Sequence, residues 1–239
     1  VYAPHDRIIF QIPAYSNGFL DVSKSFLKFK PTLTATGSDA TNRPFFADGF
    51  PIFERMIVKS GSGAVIEDIQ DVDLLENILE GLMEKSDGSS RKALMGDGLA
   101  GLSKFARTNE KFVVKRLPGG LLGPEQEFYL PLHLMGGPYS LEVELVLANA
   151  NRCMACVGTA TAADYTISGV TLQLEVVNMP EDVCKKLDLA ICSGEEISLP
   201  FSTYRSYRNT IPLGSTQTSL QIHEVSPNVE SVMLAFEST

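Results

Sequence analysis

Three histidines, four cysteines and a handful of closely spaced carboxylates are the residues of this 239-residue chain whose types could do chemistry. His5, His133 and His223 stand in no H-E-x-x-H and at no metal-triad spacing, and the Gly-x-Ser-x-Gly of a nucleophile elbow does not occur. His133 falls on the alternating face of FYLPLHL with Tyr129 and Pro131, which reads as a structural or interface histidine. Cys153 and Cys156 form a C-x-x-C, yet no second Cys or His pair follows at zinc-finger spacing. Positions three apart on a strand face opposite sides, and Cys184 and Cys192 are separated like residues of a helix face, so ordinary thiols are expected. Asp71, Asp73 and Glu76 cluster early in a helical stretch, where they complement its positive end, without the glycine and terminal glutamate of an EF-hand loop. Glu142 and Glu144 share one strand face, whereas glycosidase carboxylates usually approach from different strands across a cleft. GDGLAG, Gly96 to Gly101, matches a dinucleotide fingerprint literally but lacks the preceding buried strand and the βαβ context, so a loop is expected there. No catalytic, cofactor-binding or metal-ligating residue is assigned, and no enzyme activity is expected.

Binding roles are constrained in the same way. A net charge of −9 disfavours a chain whose task is to neutralise phosphates, since counterion release needs clustered cations. The small basic groups Lys111, Lys115 and Arg116, and Arg205 with Arg208, read as solvated strand ends. Sugar-binding sandwiches use aromatic platforms; Trp is absent, and Tyr204 and Tyr207 are the candidates for an exposed contact surface against a partner.

The elements that must position these residues are mostly strands. Ile8 to Ile12 is a first strand, and Ser25 to Leu33 alternates Leu27, Phe29 and Leu33 with Lys28 and Lys30. Residues 34–50 read as a loop, after which Phe53 to Val58 and Ala64 to Ile66 flank KSGSG as a hairpin. From Asp68, a plausible N-cap, Ile69, Val72, Leu75, Leu79 and Leu82 recur at helical steps, and a weaker helical patch covers Arg91 to Ala106. Strands resume at Phe112 to Val114, Phe128 to Leu134, Leu141 to Leu147, Tyr165 to Val170 and Leu172 to Val177. Pro180 opens a short helix carrying Val183, Leu187 and Ile191 on one side, and Gly194 ends it. Beyond it Ile197, Leu199 and Phe201, Leu220 and Ile222, and Val232, Leu234 and Phe236 alternate again, as the opening strands of a second sandwich that does not finish. The expected class is all-β: an antiparallel jelly-roll sandwich over 1–193, with a helical insertion around 68–106 and a closing helix around 180–192, followed over 194–239 by the start of another.

Composition agrees with a folded chain: 44% hydrophobic and 21% charged residues are ordinary globular values, so a sizeable core is expected. His5, Asp6 and Arg7 leave no room for a signal peptide in VYAPHDRIIF, and the apolar run Leu141 to Leu147 is interrupted by two glutamates and falls short of the roughly 20 residues of a membrane span. With no Asn-x-Ser/Thr acceptor, synthesis inside a cell is the default expectation. The start at Val1 and the end after a strand fit a fragment of a larger polypeptide, and both termini are treated as artificial.

The order FQIP…GFLDVSKSFLKFKPTLT, PIFERMIVKSGSGAVIEDIQDVDLLENIL, EFYLPLHL with YSLEVELVLANA, YTISGVTLQLEVVNMPEDV and ISLPFSTYRSYRNTIPLGS resembles the double jelly-roll major capsid proteins of virophages, polinton-like viruses and adintoviruses. The resemblance covers nearly the whole chain and rests on packing segments. It implies two jelly rolls side by side, a homotrimer forming a pseudo-hexameric capsomer, and contacts with neighbouring capsomers and with penton or minor capsid proteins in an icosahedral shell around double-stranded DNA. The implied location is the virion capsid, after synthesis inside the host cell. It implies no catalytic residue, no cofactor and no sequence-specific nucleic-acid binding, and leaves contact with an internal membrane open. Most of a second jelly roll is missing from the pattern. The rival readings are a single jelly-roll penton or minor capsid protein, and a non-viral β-sandwich that binds a ligand or acts as an enzyme, which would need a convergent polar pocket or an aromatic platform.

Overall fold

A computed structural model describes residues 1–36, 43–46, 51–82, 112–117, 119–135, 138–157 and 162–211, with 213, 215, 217, 219, 221–222, 229 and 231–233 beyond them. The chain divides into two compact units, Val1–Tyr204 and Arg205–Thr239. Alternation of apolar and polar residues builds the first unit as an all-β sandwich of two antiparallel sheets.

The first sheet is ordered β1 (Arg7–Ile12), β8 (Leu141–Leu147), β4 (Phe53–Ser60), β5 (Val65–Gln70). Ile8 and Ile12 of β1, Leu141, Val143, Leu145 and Leu147 of β8, and Phe53, Met56 and Val58 of β4 are buried on its inner face. Arg7, Gln11, Glu142, Lys59 and Arg55 alternate with them and occupy the outer face. The second sheet is ordered β10 (Ala162–Asn178), β2 (Gly18–Thr36), β6 (Val113–Arg116), with β7 (Tyr129–Pro131) also pairing with β2. Leu27, Phe29, Leu33, Val113, Tyr165 and Ile167 are among its buried residues, and Phe29 meets Phe53 of the first sheet edge-on at 6.5 Å between centroids, so the two inner faces close on one core. A two-stranded ribbon pairs β3 (Arg43–Phe46) with β9 (Met154–Val157). Outside the named strands, Tyr2 pairs with Ile167 through hydrogen bonds of 2.8 and 2.9 Å on the side of β10 away from β2.

Two short 3-10 turns, Gly120–Leu122 and Leu132–Leu134, and helices α1 (Val72–Leu82), α2 (Ala150–Cys153) and α3 (Glu181–Cys192) complete the described elements. α3 starts after Pro180 and ends at Gly194, whose φ of 89° is the left-handed stop that glycine adopts without strain.

Several expectations change. The helix begins at Val72, and Asp68 is not its N-cap: Ile69 satisfies both the helical and the strand pattern, and the ladder with β4 keeps Asp68, Ile69 and Gln70 in β5. The loop expected over 34–50 is partly strand, since β2 runs on to Thr36 and Arg43 to Phe46 find a partner in β9. The segment Phe128 to Leu134 keeps only three strand residues before turning. Tyr165 to Val170 and Leu172 to Val177 form one strand, because an irregularity between Ser168 and Thr171, with Gly169 at φ 58°, absorbs the break in alternation. The described residues from Ile197 onward carry no strand: alternation prepares a face, but a strand also requires a neighbour, and no ladder forms among them. In the second unit Asn209 Nδ2 donates to the Ser219 carbonyl at 2.9 Å. The helical patch Arg91 to Ala106, with GDGLAG, and His223 lie outside the described residues.

Candidate functional site

The acidic cluster at the head of α1 is organised by a residue the sequence pattern did not single out. Arg152 on α2 reaches Asp71 at 3.1 Å, Asp73 at 2.7 Å and Glu54 at 3.5 Å. Burial pushes the Asp73 carboxyl above the usual aspartate range, and the attraction of Arg152 only partly opposes it. Burial would lower the Arg152 guanidinium, but the carboxylates around it raise it further. His5 approaches the other side of Glu54 at 4.0 Å and meets Asn149 at 3.2 Å.

Deeper in the sandwich, Lys115 of β6 points inward and pairs with Glu76 of α1, both buried, with the ammonium 5.7 Å from the centre of the Phe53 ring. The expected basic surface group is therefore corrected: Lys115 is a core cation, while Arg116 alternates outward. Lys115 lies two residues beyond Val113 and shares its face because β6 runs on past Val114, and nothing in the local sequence points to its partner.

On the outer face of the first sheet, register turns Glu142 and Glu144 into rungs of a charge ladder. Lys59 donates to Glu144 at 2.8 Å and to Glu142 at 3.1 Å, and Arg7 contacts Glu144 at 3.3 Å. Gln11 and Tyr139 also donate to Glu142, at 3.3 and 3.1 Å. The hydrogen bond from Lys59, then that from Gln11, hold the Glu142 carboxyl below its ordinary range, and Glu144 followed by Glu142 raise Lys59. Beside them Arg55 grips Asp68 in a fork of 2.8 and 2.6 Å. A carboxylate held ionised in this way, as Glu142 is, is a poor general acid.

Cys153 is buried with its thiol pushed up to about 12 by desolvation, and burial likewise raises Tyr165, whose hydroxyl donates to the Ala148 carbonyl at 2.6 Å. Cys184 is buried and Cys192 exposed, both on α3. His133 joins the sandwich to α3 through Asp188 at 3.3 Å, with its ring edge-on to Phe19. Tyr204 is half-buried, its ring packed over Gly119. Glu67, which no motif singled out, lies buried on the inner side of β5 and accepts hydrogen bonds from the Leu121 backbone N–H at 2.9 Å and from Thr203 at 2.6 Å.

Among the described residues no three His, Cys, Asp or Glu side chains are grouped to hold a metal ion, and no helix is long and apolar enough to cross a membrane. The buried carboxylates Asp21, Glu67, Asp73, Glu76 and Glu144 each face a cation or a hydrogen-bond donor, which is the condition for burying them. No protein-family model matches the chain, and no curated protein is detectably similar to it in sequence.

Proposed function

We propose that the chain is a structural subunit of a viral shell, a double jelly-roll major capsid protein that trimerises into pseudo-hexameric capsomers of an icosahedral double-stranded DNA virus. The observation that carries the reading is the wiring of the two sheets. In a jelly roll, eight strands lettered B to I in chain order lie as B-I-D-G and C-H-E-F. Here β1, β8, β4 and β5 stand in the order C-H-E-F, and Tyr2, β10, β2 and then β6 with β7 stand in the order B-I-D-G, all antiparallel. This order supports the jelly-roll reading, with the isolated Tyr2 bridge at the place of B and β6 and β7 sharing the place of G. The scaffold of saturated ion pairs supports a load-carrying role over turnover, and a shell needs many modest contacts across a stiff antiparallel frame. The surfaces offered to neighbours in the shell are proposed on the same basis, and the role calls for no cofactor.

A single jelly-roll penton or minor capsid protein is the second reading, favoured by the absence of strands among the described residues after Ile197. Sedimentation velocity of the native material separates the two. Dissociated shells should release assemblies of three 26.0 kDa chains for the first reading and five for the second. A monomer at every concentration, with no particle in the source material, overturns both.

A further inference from the structure

We propose that the edge of β10 between Val170 and Val176 is a contact between two copies of this chain, which pair there antiparallel about a twofold axis at Gln173. β2 holds one edge of β10, and among the described residues the other edge carries only the Tyr2 bridge at Ile167. Burial changes where that bridge ends. Tyr165 and Ile167 are fully covered, whereas Leu172 and Val176 stay half-buried although their partners across the ladder, Leu27 and Leu20, are 1% and 0% exposed. A further strand beside β10 would cover these side chains and pair with the backbone groups along the edge.

The edge itself says which strand fits. Sheet edges left to solvent are normally blunted by lysine, proline or an inward-pointing charge, and VTLQLEV, Val170 to Val176, has none of these. Its polarity also reads the same in both directions about Gln173. An antiparallel second copy centred there sets Val170 against Val176, Thr171 against Glu175 and Leu172 against Leu174, so apolar side chains meet on the inner side and no carboxylate faces a carboxylate. Glu175 is paired within its own chain by Lys24 at 3.0 Å, which quiets the one charge on this stretch of a chain whose net charge is −9. The irregularity between Gln173 and Glu175 puts its extra residues in β2, opposite Leu174. A contact this short is of the weak, concentration-dependent kind, and the reasoning is independent of whether the protein builds a shell.

Disulfide cross-linking reads both the contact and its register. In a Cys192→Ser background, which removes the exposed thiol, Gln173→Cys sets the new thiol opposite its own copy across the twofold axis. Mild oxidation should then join two 26.0 kDa chains through that position, as located by peptide mapping. Thr171→Cys lies opposite Glu175 of the second copy and should link roughly tenfold more slowly, the discrimination that disulfide geometry imposes. Sedimentation velocity gives the second readout. The parent should self-associate as its concentration rises, and Gln173→Lys, at an exposed position that the axis turns into two facing cations, should weaken this several-fold without changing the thermal unfolding of the sandwich. Equal linking of the two cysteine variants overturns the proposal. So does a parent that stays monomeric at every concentration, or self-association that Gln173→Lys leaves unchanged.

Discussion

Arg152 Nε lies 2.7 Å from Oδ2 of Asp73 and joins a four-residue helix near the end of the sandwich to the first turn of α1, 79 residues earlier in the chain. The same guanidinium holds Asp71, the residue that turns the chain out of β5 with φ at 55°. One cation thus fixes the corner where strand becomes helix.

Replacing Arg152 by Met should destabilise the fold by about 3 kcal/mol at neutral pH, because carboxylates remain in a buried place without their cation. The pH dependence has a definite sign. The folded-state pKa of Asp73 is raised, so its protonation favours folding; that contribution is complete below its ordinary value of 3.8 and fades as pH rises through the folded value. Loss of Arg152 raises it further. Urea titrations at pH 7 and pH 4 should therefore show the gap between variant and parent narrowing in acid, and a constant gap would refute the account.

Lys59→Met tests the outer ladder, where a loss of roughly 1 kcal/mol is expected, smaller at high salt. Glu142 has a lowered folded-state pKa, so its contribution is present above its ordinary value of 4.5 and is lost as pH falls through the folded value. Lys59 works in the opposite sense: its contribution is present below 10.5 and fades as pH rises through its raised folded value. Guanidinium-free unfolding curves in 0.1 and 1 M salt, taken on both sides of pH 4.5, would settle whether the variant has lost the acid-sensitive part of the stability.

Alkylation should separate the cysteines by burial. In the native protein at mildly alkaline pH, Cys192 should react readily, whereas Cys153, buried and with its thiol pushed up to about 12, and the buried Cys184 should react only once the chain is unfolded. Peptide mapping after brief iodoacetamide treatment reads this directly. Labelling of Cys153 at the rate of Cys192 would contradict the packing of α2.

Gly120→Ala should lower stability by about 2 kcal/mol, since a side chain at φ 68° is strained and its Cβ meets the hydrogen-bonded carboxylate of Glu67. Gly63→Ala, at φ 88° with open space around the Cβ position, carries the conformational cost alone and serves as the comparison. Equal losses in thermal melts of the two variants would show that the seat beneath Glu67 is not tight.

The strands were legible wherever one face is wet. LEVELVL and SFLKFKPTL display their period openly, and β8 and the centre of β2 fall where that period places them. The helix boundary was not, because Ile69 fits either period and only the ladder with β4 decides. The charged interior was hidden for a different reason. Lys59, Lys115 and Arg152 meet partners dozens of residues away, and no local spacing announces a pairing that register alone creates. The negative reading of the His, Cys and Glu motifs follows from residue types and needed no register.

The pairing of β2 with β10, from Gly18 with Asn178 to Thr36 with Ala162, sets the tempo of folding. During synthesis at about 5–20 residues per second, β2 leaves the ribosome on the order of ten seconds before its principal neighbour exists. Closure of the sandwich then waits on contacts between distant parts of the chain, the regime of slow folding. In that interval β2, the longest of the described strands, is an unpaired edge, open to pairing with another nascent chain. Lys24, Lys28 and Lys30 give the waiting strand positive charges that repel a second copy of itself, so the residues that later lie on the outside of the sheet first act as its protection from aggregation.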